Sequence, residues 1–254
     1  MQIDDGWGEI APLPGISRET LTLAKEEILA VFQDNKKPTL PSVIFGLSSA
    51  EQPLSPIKVP LSALHEPRPG CKTLKLKLGH LEIHEAIALV KQHMKKYRLR
   101  LDCNRKWPLA KALFFASHFC PTDFEYLEEP VDTYADLIYF STLTQFPIAV
   151  DESLFEHSCL DIPTLKAAII KPTLWGTIPH LPFPIVLSSA YESSLGILHI
   201  ARLANPQKTA QGLDTFSPDF LTPPIRVKNG YLTWTPPSQN PIDTRQLCLI
   251  ATVP

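Results

Sequence analysis

Charged residues that close short apolar runs are the part of this chain best suited to chemistry. They are Lys77, Asp102, Glu128, Asp151 and Lys171, and successive members lie 20 to 26 residues apart. That spacing is about the length of one strand-plus-helix unit, so each charge is expected where a parallel strand ends. The catalytic groups of a (β/α) barrel collect at that edge. The sequence therefore predicts one site to which five strand ends contribute.

The residue types in this set indicate proton transfer beside a carboxylate. Three carboxylates form the all-oxygen ligand set that Mg²⁺ prefers. A substrate carboxylate on such an ion has a more acidic neighbouring C–H, because the charge left by proton removal falls on the ion. A lysine held near the cation and partly desolvated has a lowered pKa, so it can act as a base near neutral pH. We expect the two lysines to flank the metal from opposite sides.

Structural roles for the same residues need to be weighed. A single Asp or Glu at a strand end most often caps a helix. The alternation in Lys75-Leu76-Lys77 also describes an edge strand that charge protects from aggregation. Neither role explains five such groups at unit-length spacing on consecutive strands. The joint arrangement therefore favours catalysis.

Composition limits the class of protein. A chain of 254 residues with 44% hydrophobic residues suits one barrel-sized domain with a small appendage. A net charge of −2 gives no reason to expect nucleic acid or an anionic membrane as partner. Five cysteines without a CxxC pair favour a reducing cytoplasm, and no apolar run reaches the ~18 residues that span a bilayer. We expect a cytoplasmic protein with a small-molecule carboxylate substrate, and composition sets no oligomeric state.

Strand and helix patterns alternate along the chain. In the run 72–78, period-two geometry places the leucines on one face and Lys75 and Lys77 on the other. The predicted strands lie at about 57–61, 72–78, 99–102, 124–128, 148–151, 168–171 and 184–189, with 212–216 in the eighth position. The predicted helices lie at about 18–33, from Pro41 onward, 81–96, 110–119, 133–144, 193–203 and, as a short piece, 160–165.

Three domains follow from these patterns. Residues 1–56 predict a partial N-terminal capping domain, and 57–218 predict a (β/α) barrel catalytic domain. Residues 219–254 predict a C-terminal segment that returns to the capping domain through a hairpin near 225–234. The proline-rich stretch between Lys171 and Ser188 is a poor helix, so the sixth crossover helix is expected to be reduced or absent.

Several motifs resemble those of the enolase superfamily, muconate-lactonizing subgroup. They are Lys75/Lys77, Asp102 with Asn104, Glu128-Glu129-Pro130, Asp151-Glu152-Ser153 and Lys171-Pro172. Residues 6–15, 188–196 and 212–215 are similar to the o-succinylbenzoate synthase family within that subgroup. The resemblance implies an α/β fold, an enolase-type modified TIM barrel of (β/α)7β-like form, with a truncated α+β capping domain.

The same resemblance implies a reaction and a role for each site residue. Asp102, Glu128 and Asp151 would be ligands of Mg²⁺. Lys77 would take the proton α to the carboxylate and then protonate the departing hydroxyl, in a syn dehydration of 2-succinyl-6-hydroxy-2,4-cyclohexadiene-1-carboxylate to 2-succinylbenzoate for menaquinone biosynthesis. Lys171, on the opposite face, would stabilise the enediolate as a cation. Ser188 and Gly212 match family positions that contact the succinyl end of the substrate. Lys75 and Arg100 would support the polar cluster. Structural roles are implied for Glu129, Glu152 and Asp214.

One departure from the family concerns the N-terminus. The capping domain of the family normally begins with further antiparallel strands and a loop that closes over the barrel mouth. Here the chain starts at the last of those strands. We therefore expect an uncovered apolar surface near Trp7 and Ile10 and an open barrel mouth.

Alternatives to the dehydratase reading stay open. An N-succinylamino acid racemase or a muconate cycloisomerase of the same subgroup would use the same two lysines. A dipeptide epimerase is disfavoured, because Asp214-Thr215-Phe216 stands where an Asp-x-Asp is expected. An inactive barrel descendant without its lid is the third alternative, and the intact set of costly charged residues argues against it.

Overall fold

Twelve strands and seven α-helices occur in the part of the chain that the computed structural model describes, residues 1–204, 208–216 and 221–248. The strands are β1 (Gln2–Ile3), β2 (Gly6–Trp7), β3 (Ile57–Pro60), β4 (Ser62–Leu64), β5 (Thr73–Lys77), β6 (Arg98–Asp102), β7 (Phe124–Glu128), β8 (Ile148–Val150), β9 (Leu165–Ile170), β10 (Ile185–Leu187), β11 (Arg226–Lys228) and β12 (Tyr231–Trp234). The helices are α1 (Leu21–Gln33), α2 (Pro41–Ala50), α3 (Ile83–His93), α4 (Leu109–Ala116), α5 (Tyr134–Thr144), α6 (Pro172–Trp175) and α7 (Ser194–Ala204).

These elements fall into two units. The first unit contains residues 1–60, 170–180 and the described residues from 187 onward, and the second unit contains 61–169 and 181–186. The predicted boundary between barrel and C-terminal segment, at 218 and 219, lies outside the described residues. No helix among the described residues combines the length and the apolar character needed to cross a bilayer.

The second unit is built on a sheet of seven strands that follow one another in chain order, from β4 to β10. The paired strands from β4 to β9 are parallel, and α3, α4 and α5 connect β5 through β8. One inner layer of the core is contributed by β7 to β10, through Tyr126, Ala149, Ala167, Ile169 and Val186. The predicted parallel α/β architecture is thereby confirmed.

Local sequence explains how these strands and helices begin and end. In β5, Leu74 and Leu76 are buried while Lys75 and Lys77 are half-buried, as the alternation predicts. Gly79, just beyond the strand, allows the chain to pass close to its neighbour, because a Cβ there would lie 2.2 Å from the carbonyl oxygen of Cys103. The helix that follows opens with a capping box, in which Glu82 and the N3 glutamate each accept a backbone N–H.

Three crossovers of the sheet lack a full helix. The connection from β8 to β9 holds only a four-residue 3-10 helix, Glu152–Phe155. The connection from β9 to β10 holds only the four-residue α6, so the predicted reduction of the sixth crossover helix is confirmed. The connection from β4 to β5 has no helix at all, a loss that the sequence interpretation missed. Its eight residues include Pro67, Pro69 and Gly70, and parallel neighbours ordinarily need about a dozen residues for a helical crossover.

Three predicted elements are corrected by the structure. Residues 57–60 are β3, which pairs with β12 in an antiparallel sheet of order β11-β12-β3, so the parallel sheet starts at Ser62 instead. Pro60 has no N–H to donate to a ladder, and Ile57 and Val59 bury one face only, a pattern that suits a short antiparallel strand. The proposed eighth strand is a single parallel bridge between Ser188 and Gly212. The short helix at 160–165 is absent, since Leu165 already begins β9.

The C-terminal hairpin is confirmed. Its strands β11 and β12 pair antiparallel, and Lys228 faces Tyr231 across a two-residue turn. Both turn residues, Asn229 and Gly230, have positive φ of 52° and 80°. Asn-Gly is the preferred sequence for such a turn, because its backbone twist matches that of the strands.

The N-terminus differs from the expected uncovered strand. β1 and β2 pair antiparallel, with Gln2 opposite Trp7, and Trp7 is only 8% exposed. A Cβ on Gly6 or Gly8 would lie within 2.0 Å of a carbonyl oxygen of α2, so these glycines allow the hairpin to pack closely on that helix. Ile10 is half-buried against the cluster that includes Val43. The prediction of an exposed apolar surface at Trp7 is therefore wrong.

The first long helix also begins later than predicted. It starts at Leu21, with the Thr20 side chain accepting the backbone N–H of Leu23. Leu21 and Leu23 are 67% and 48% exposed, so its apolar positions are not all on a buried side. Helices α2 and α7 begin within one residue of the predicted positions.

Candidate active site

Three predicted site residues stand side by side in the second unit. Lys77 on β5 pairs in register with Asp102 on β6, and Asp102 pairs with Glu128 on β7. Asp151 follows β8 directly, and on that strand Ala149 is the partner of Glu128. Parallel strands end at a common edge, so the four side chains belong to the carboxyl edge of one sheet. The spacing argument thus predicted their placement correctly.

Lys75 is the electrostatic centre of this edge. Its Nζ donates to both carboxylate oxygens of Glu128, at 2.8 and 2.7 Å, and lies 2.9 Å from an oxygen of Asp102. Asp102 and Glu128 are 2% and 1% exposed. Desolvation acts to lower the pKa of Lys75, but the attraction of the two carboxylates outweighs it and raises that pKa above its usual value. These contacts favour the protonated form of Lys75. Lys77, two residues further along the same strand, is half-buried.

The carboxylates retain an excess of negative charge in spite of Lys75. Burial raises the pKa of Glu128, and repulsion from Asp102 and Asp151 adds to that rise against the opposing effect of Lys75. Such a cluster of buried oxygens with too little positive charge fits a hard divalent cation such as Mg²⁺. The donor chemistry of the three carboxylates therefore matches the predicted ligands.

The arrangement of those oxygens differs from the expectation that all three converge on one point. Across residues 1–204, 208–216 and 221–248, no three His, Cys, Asp or Glu side chains are grouped so as to surround one ion. The contacts of Lys75 give the physical reason, because its ammonium holds both oxygens of Glu128 and one of Asp102. The ammonium group of Lys75 thus occupies the position between the two carboxylates in which a bound metal ion would be expected.

Glu129 fixes the turn that carries Asp151. One of its oxygens accepts the backbone N–H groups of Asp151 and Ser153, at 2.9 and 2.8 Å, and the other accepts the Ser153 hydroxyl at 2.7 Å. Glu129 is 1% exposed, and burial raises its pKa. Its φ of 44° turns the chain sharply after the neighbouring Glu128. These contacts support the structural role predicted for Glu129.

Arg100 is held by partners that the sequence interpretation missed. Its guanidinium donates to both oxygens of Glu125, at 3.1 and 2.9 Å, and lies 5.1 Å from the ring centroid of Tyr126. Arg100 is 1% exposed, which fits a support of the strand edge. Arg100 and Tyr126 are partners in the register of β6 and β7, and that register is known only from the structure.

Two histidines near Lys77 were also missed. His65 follows β4 with a left-handed φ of 63°, and its backbone N–H donates to the carbonyl of Lys75 at 2.9 Å. Partial burial and the positive charge of Lys77 lower the pKa of His65, and His80 adds to that effect. Both histidines come shortly after a strand, which is the pattern that marked the acidic residues.

Lys171, Ser188, Gly212 and Asp214 belong to the first unit, where Ser188 and Gly212 come together. Ser188 pairs with Gly212 in a parallel bridge, and its hydroxyl donates to the Gly212 carbonyl at 3.2 Å. A Cβ on Gly212 would lie 2.8 Å from that hydroxyl oxygen, so a larger residue there would displace the Ser188 side chain. Lys171 directly precedes α6 and is half-buried, and Asp214 is buried.

Comparisons with known proteins agree with this site. The family model for the N-terminal domain of MenC matches residues 2–54, and that for the enolase C-terminal domain-like fold matches 62–160. The o-succinylbenzoate synthase of Klebsiella pneumoniae is 36% identical over 84% of this chain and 79% of its own length. The enzyme of the same name from Yersinia enterocolitica is 34% identical over 90% of this chain and 87% of its own.

Solved structures show the same fold. An o-succinylbenzoate synthase from Thermosynechococcus elongatus, complexed with Mg in its active site, has a TM-score of 0.64 at 23% identity and covers 85% of this chain and 82% of its own. The L-Ala-D/L-Glu epimerase of Bacillus subtilis has a TM-score of 0.74 at 20% identity, covering 92% and 87%. At these identities the structures establish the architecture, and the sequence relatives establish the family. The chain belongs to the o-succinylbenzoate synthase family of the enolase superfamily.

Proposed function

We propose that this protein is a Mg²⁺-dependent o-succinylbenzoate synthase of the cytoplasm. It removes water from 2-succinyl-6-hydroxy-2,4-cyclohexadiene-1-carboxylate to give 2-succinylbenzoate, a step of menaquinone biosynthesis. One observation carries the proposal, the in-register row of Lys77, Asp102 and Glu128 across three parallel strands. That row sets a lysine base beside the carboxylates that would hold the metal.

Lys77 acts as base and then as acid. Its neutral amine takes the proton α to the substrate carboxylate, and the C–H electron pair passes into the carboxylate as an enediolate. The ammonium so formed returns that proton to the departing hydroxyl, which leaves as water while the ring becomes aromatic. Because one side chain serves both transfers, hydrogen and hydroxyl leave from the same face, and the elimination is syn.

The other charged residues organise this step. Asp102, Glu128 and Asp151 would hold Mg²⁺, which when bound supplies positive charge beside the reacting carboxylate. Lys75 stays protonated, because the two carboxylates raise its pKa, so it is unsuited to act as the base. Lys171 supplies a second cation that stabilises the enediolate. Ser188 and Gly212 would contact the succinyl end of the substrate, and Arg100 supports the strand edge.

A direct assay tests this function. The purified protein with Mg²⁺ should convert the cyclohexadiene substrate to an aromatic product, followed by absorbance. Lys77→Ala should abolish turnover while circular dichroism and Mg²⁺ binding by calorimetry stay unchanged, and Lys95→Ala, at an exposed lysine after α3, serves as the matched control. Turnover retained in Lys77→Ala would remove the base assignment.

The same assay separates the alternatives. A protein that leaves the cyclohexadiene substrate unchanged but racemises an N-succinylamino acid, or cyclises muconate, would be another acid/base enzyme of the subgroup. A protein inactive on all three substrates would be a binding descendant. The cluster of Lys75, Asp102 and Glu128 argues against that last outcome, because buried charges lower the stability of the fold and are expected to be lost unless a function retains them.

A further inference from the structure

The carboxylate of Glu192 bridges two loops of the first unit. Glu192 is 4% exposed. The Thr173 hydroxyl donates to one of its oxygens at 2.5 Å, and the backbone N–H of Ala190 donates to the other at 2.7 Å. Thr173 and Ala190 are themselves 1% and 3% exposed. A buried acid costs free energy unless its hydrogen bonds are satisfied, so these two bonds hold the side chain in place.

At one end, this bridge fixes the turn that begins at Lys171. Thr173 lies in α6, which has only four residues. The Lys171 carbonyl accepts N–H groups from Leu174 and Trp175, at 2.8 and 3.2 Å, so the helix and the lysine backbone form one rigid turn. So short a helix has almost no internal ladder, and its orientation depends on side-chain contacts such as that of Thr173 with Glu192.

At the other end, the bridge fixes the loop that begins at Ser188. Ala190 is two residues beyond Ser188, and Tyr191 has a left-handed φ of 63° that turns the chain back. The carboxylate of Glu192 then meets the Ala190 N–H across that turn. The Ser188 N–H donates to the carbonyl of Ile170, the residue before Lys171, at 2.9 Å. Glu192 therefore joins two loops that this backbone hydrogen bond already links at their starting points.

We propose that Glu192 is a positioning residue, which holds the Lys171 turn and the Ser188 loop in the geometry that the dehydration needs. This inference rests on the proposed function, because it takes from there the roles of Lys171 and Ser188. Groups held about 1 Å out of place lose about 10²-fold in rate. Supporting hydrogen bonds of this kind set the precision of a site.

Four variants test the proposal. Glu192→Gln keeps the shape but removes the charge, because its amide oxygen accepts only one of the two bonds and its NH₂ can meet Thr173 only as a donor to the hydroxyl oxygen. Thr173→Val removes the hydroxyl, and Thr173→Ser restores it. Glu9→Gln is the matched control, because the Glu9 carboxylate accepts the N–H groups of Ser193 and Gly196, both at 2.9 Å, at the start of the same helix α7.

The expected kinetic pattern is specific to positioning. In Glu192→Gln and Thr173→Val, kcat should fall by about 10-fold or more, with Mg²⁺ affinity unchanged, while Thr173→Ser stays close to the parent protein. The double variant should lose no more than the worse single one, because both changes break the same bond. Glu9→Gln should lower thermal stability with kcat within about 3-fold. A kcat retained in both Glu192→Gln and Thr173→Val, or equal losses in Glu9→Gln, would overturn the proposal.

A second readout is independent of turnover. The rate at which Lys171 is reductively methylated, followed by mass spectrometry at fixed pH, reports the surroundings of its amine. It should change several-fold in Glu192→Gln and stay unchanged in Glu9→Gln. An unchanged rate in Glu192→Gln would overturn the positioning role. If the parent protein lacks dehydratase activity, the proposed function fails, and the methylation result still decides the positioning role.

Discussion

At the scale of single residues, the site depends on side chains that support the reacting groups. Glu129 is the clearest case, because its carboxylate receives three hydrogen bonds from the segment that starts at Asp151. Removing it leaves the buried N–H groups of Asp151 and Ser153 without their acceptor. The loss should therefore appear first in the placement of the proposed metal ligand.

For Glu129→Ala we expect Mg²⁺ affinity to fall by about 10- to 100-fold, the usual cost of losing a residue that orients a metal ligand. Titration calorimetry measures the change. Glu129→Gln, which keeps one carbonyl acceptor, should lose less. Affinity within about 2-fold of the parent protein in Glu129→Ala would show that Asp151 holds its position without Glu129.

Gly212→Ala should act through Ser188. The added methyl group would lie 2.8 Å from the Ser188 hydroxyl oxygen, so that hydroxyl must leave the Gly212 carbonyl. We expect kcat/KM to fall by about 10-fold, which corresponds to one misplaced hydrogen bond. Ser188→Ala should show a similar loss, and the double variant should add little to it. Strictly additive losses would mean that the two residues act separately.

His199 should make stability depend on pH. Burial lowers its pKa to about 4, helped by the charge of Arg202, and its Nε2 donates to the Trp7 carbonyl at 2.7 Å. The unfolded chain, with an ordinary histidine pKa, binds the proton more readily, so this contribution is full above pH ~6.5 and is lost as pH falls toward 4. Between those values the unfolding free energy should drop by at most about 3 kcal/mol from this group. Denaturant titrations of the parent protein and of His199→Gln check it, and equal slopes with pH would contradict it.

At the scale of elements, the short helix α6 depends on the glycine that ends it. Gly176 has φ of 77°, and a Cβ there would lie 3.1 Å from the Cα of Pro41. Gly176→Ala should therefore cost about 1–3 kcal/mol, measured by chemical denaturation. Gly15, whose φ is 78° and which has open space around it, offers a control for backbone strain alone. A smaller loss at Gly176 than at Gly15 would rule out the close contact as a cause.

The elements also show what can be predicted from sequence and what cannot. Strands β5 to β9 could be predicted from the charged residues that close their apolar runs, because this pattern lies within a few consecutive residues. The hairpin at Asn229-Gly230 and the helix starting at Pro41 were predicted for the same reason. The partner of β3, the burial of Trp7 and the contacts of Lys75 were missed or misassigned, because each depends on a residue far away in the chain.

At the scale of the whole molecule, Mg²⁺ should stabilise the fold, because a ligand that binds only the folded state shifts unfolding by mass action. At a concentration about 100-fold above Kd the gain is about 2.7 kcal/mol, or about 5–10 °C in Tm for a chain of this size. Scanning calorimetry with Mg²⁺ and with EDTA measures it. Asp102→Asn should lose most of the shift, and a full shift in that variant would place the ion elsewhere.

The ammonium of Lys75 between Glu128 and Asp102 has a consequence for how the protein matures in the cell. A cluster of buried carboxylates alone would resist folding until an ion arrived, so that folding itself would depend on metal supply. With its own cation already in place, the nascent chain can complete its sheet first. Binding of the proposed Mg²⁺ then becomes a reversible equilibrium of the already folded protein, so the protein should keep its fold when the ion is removed.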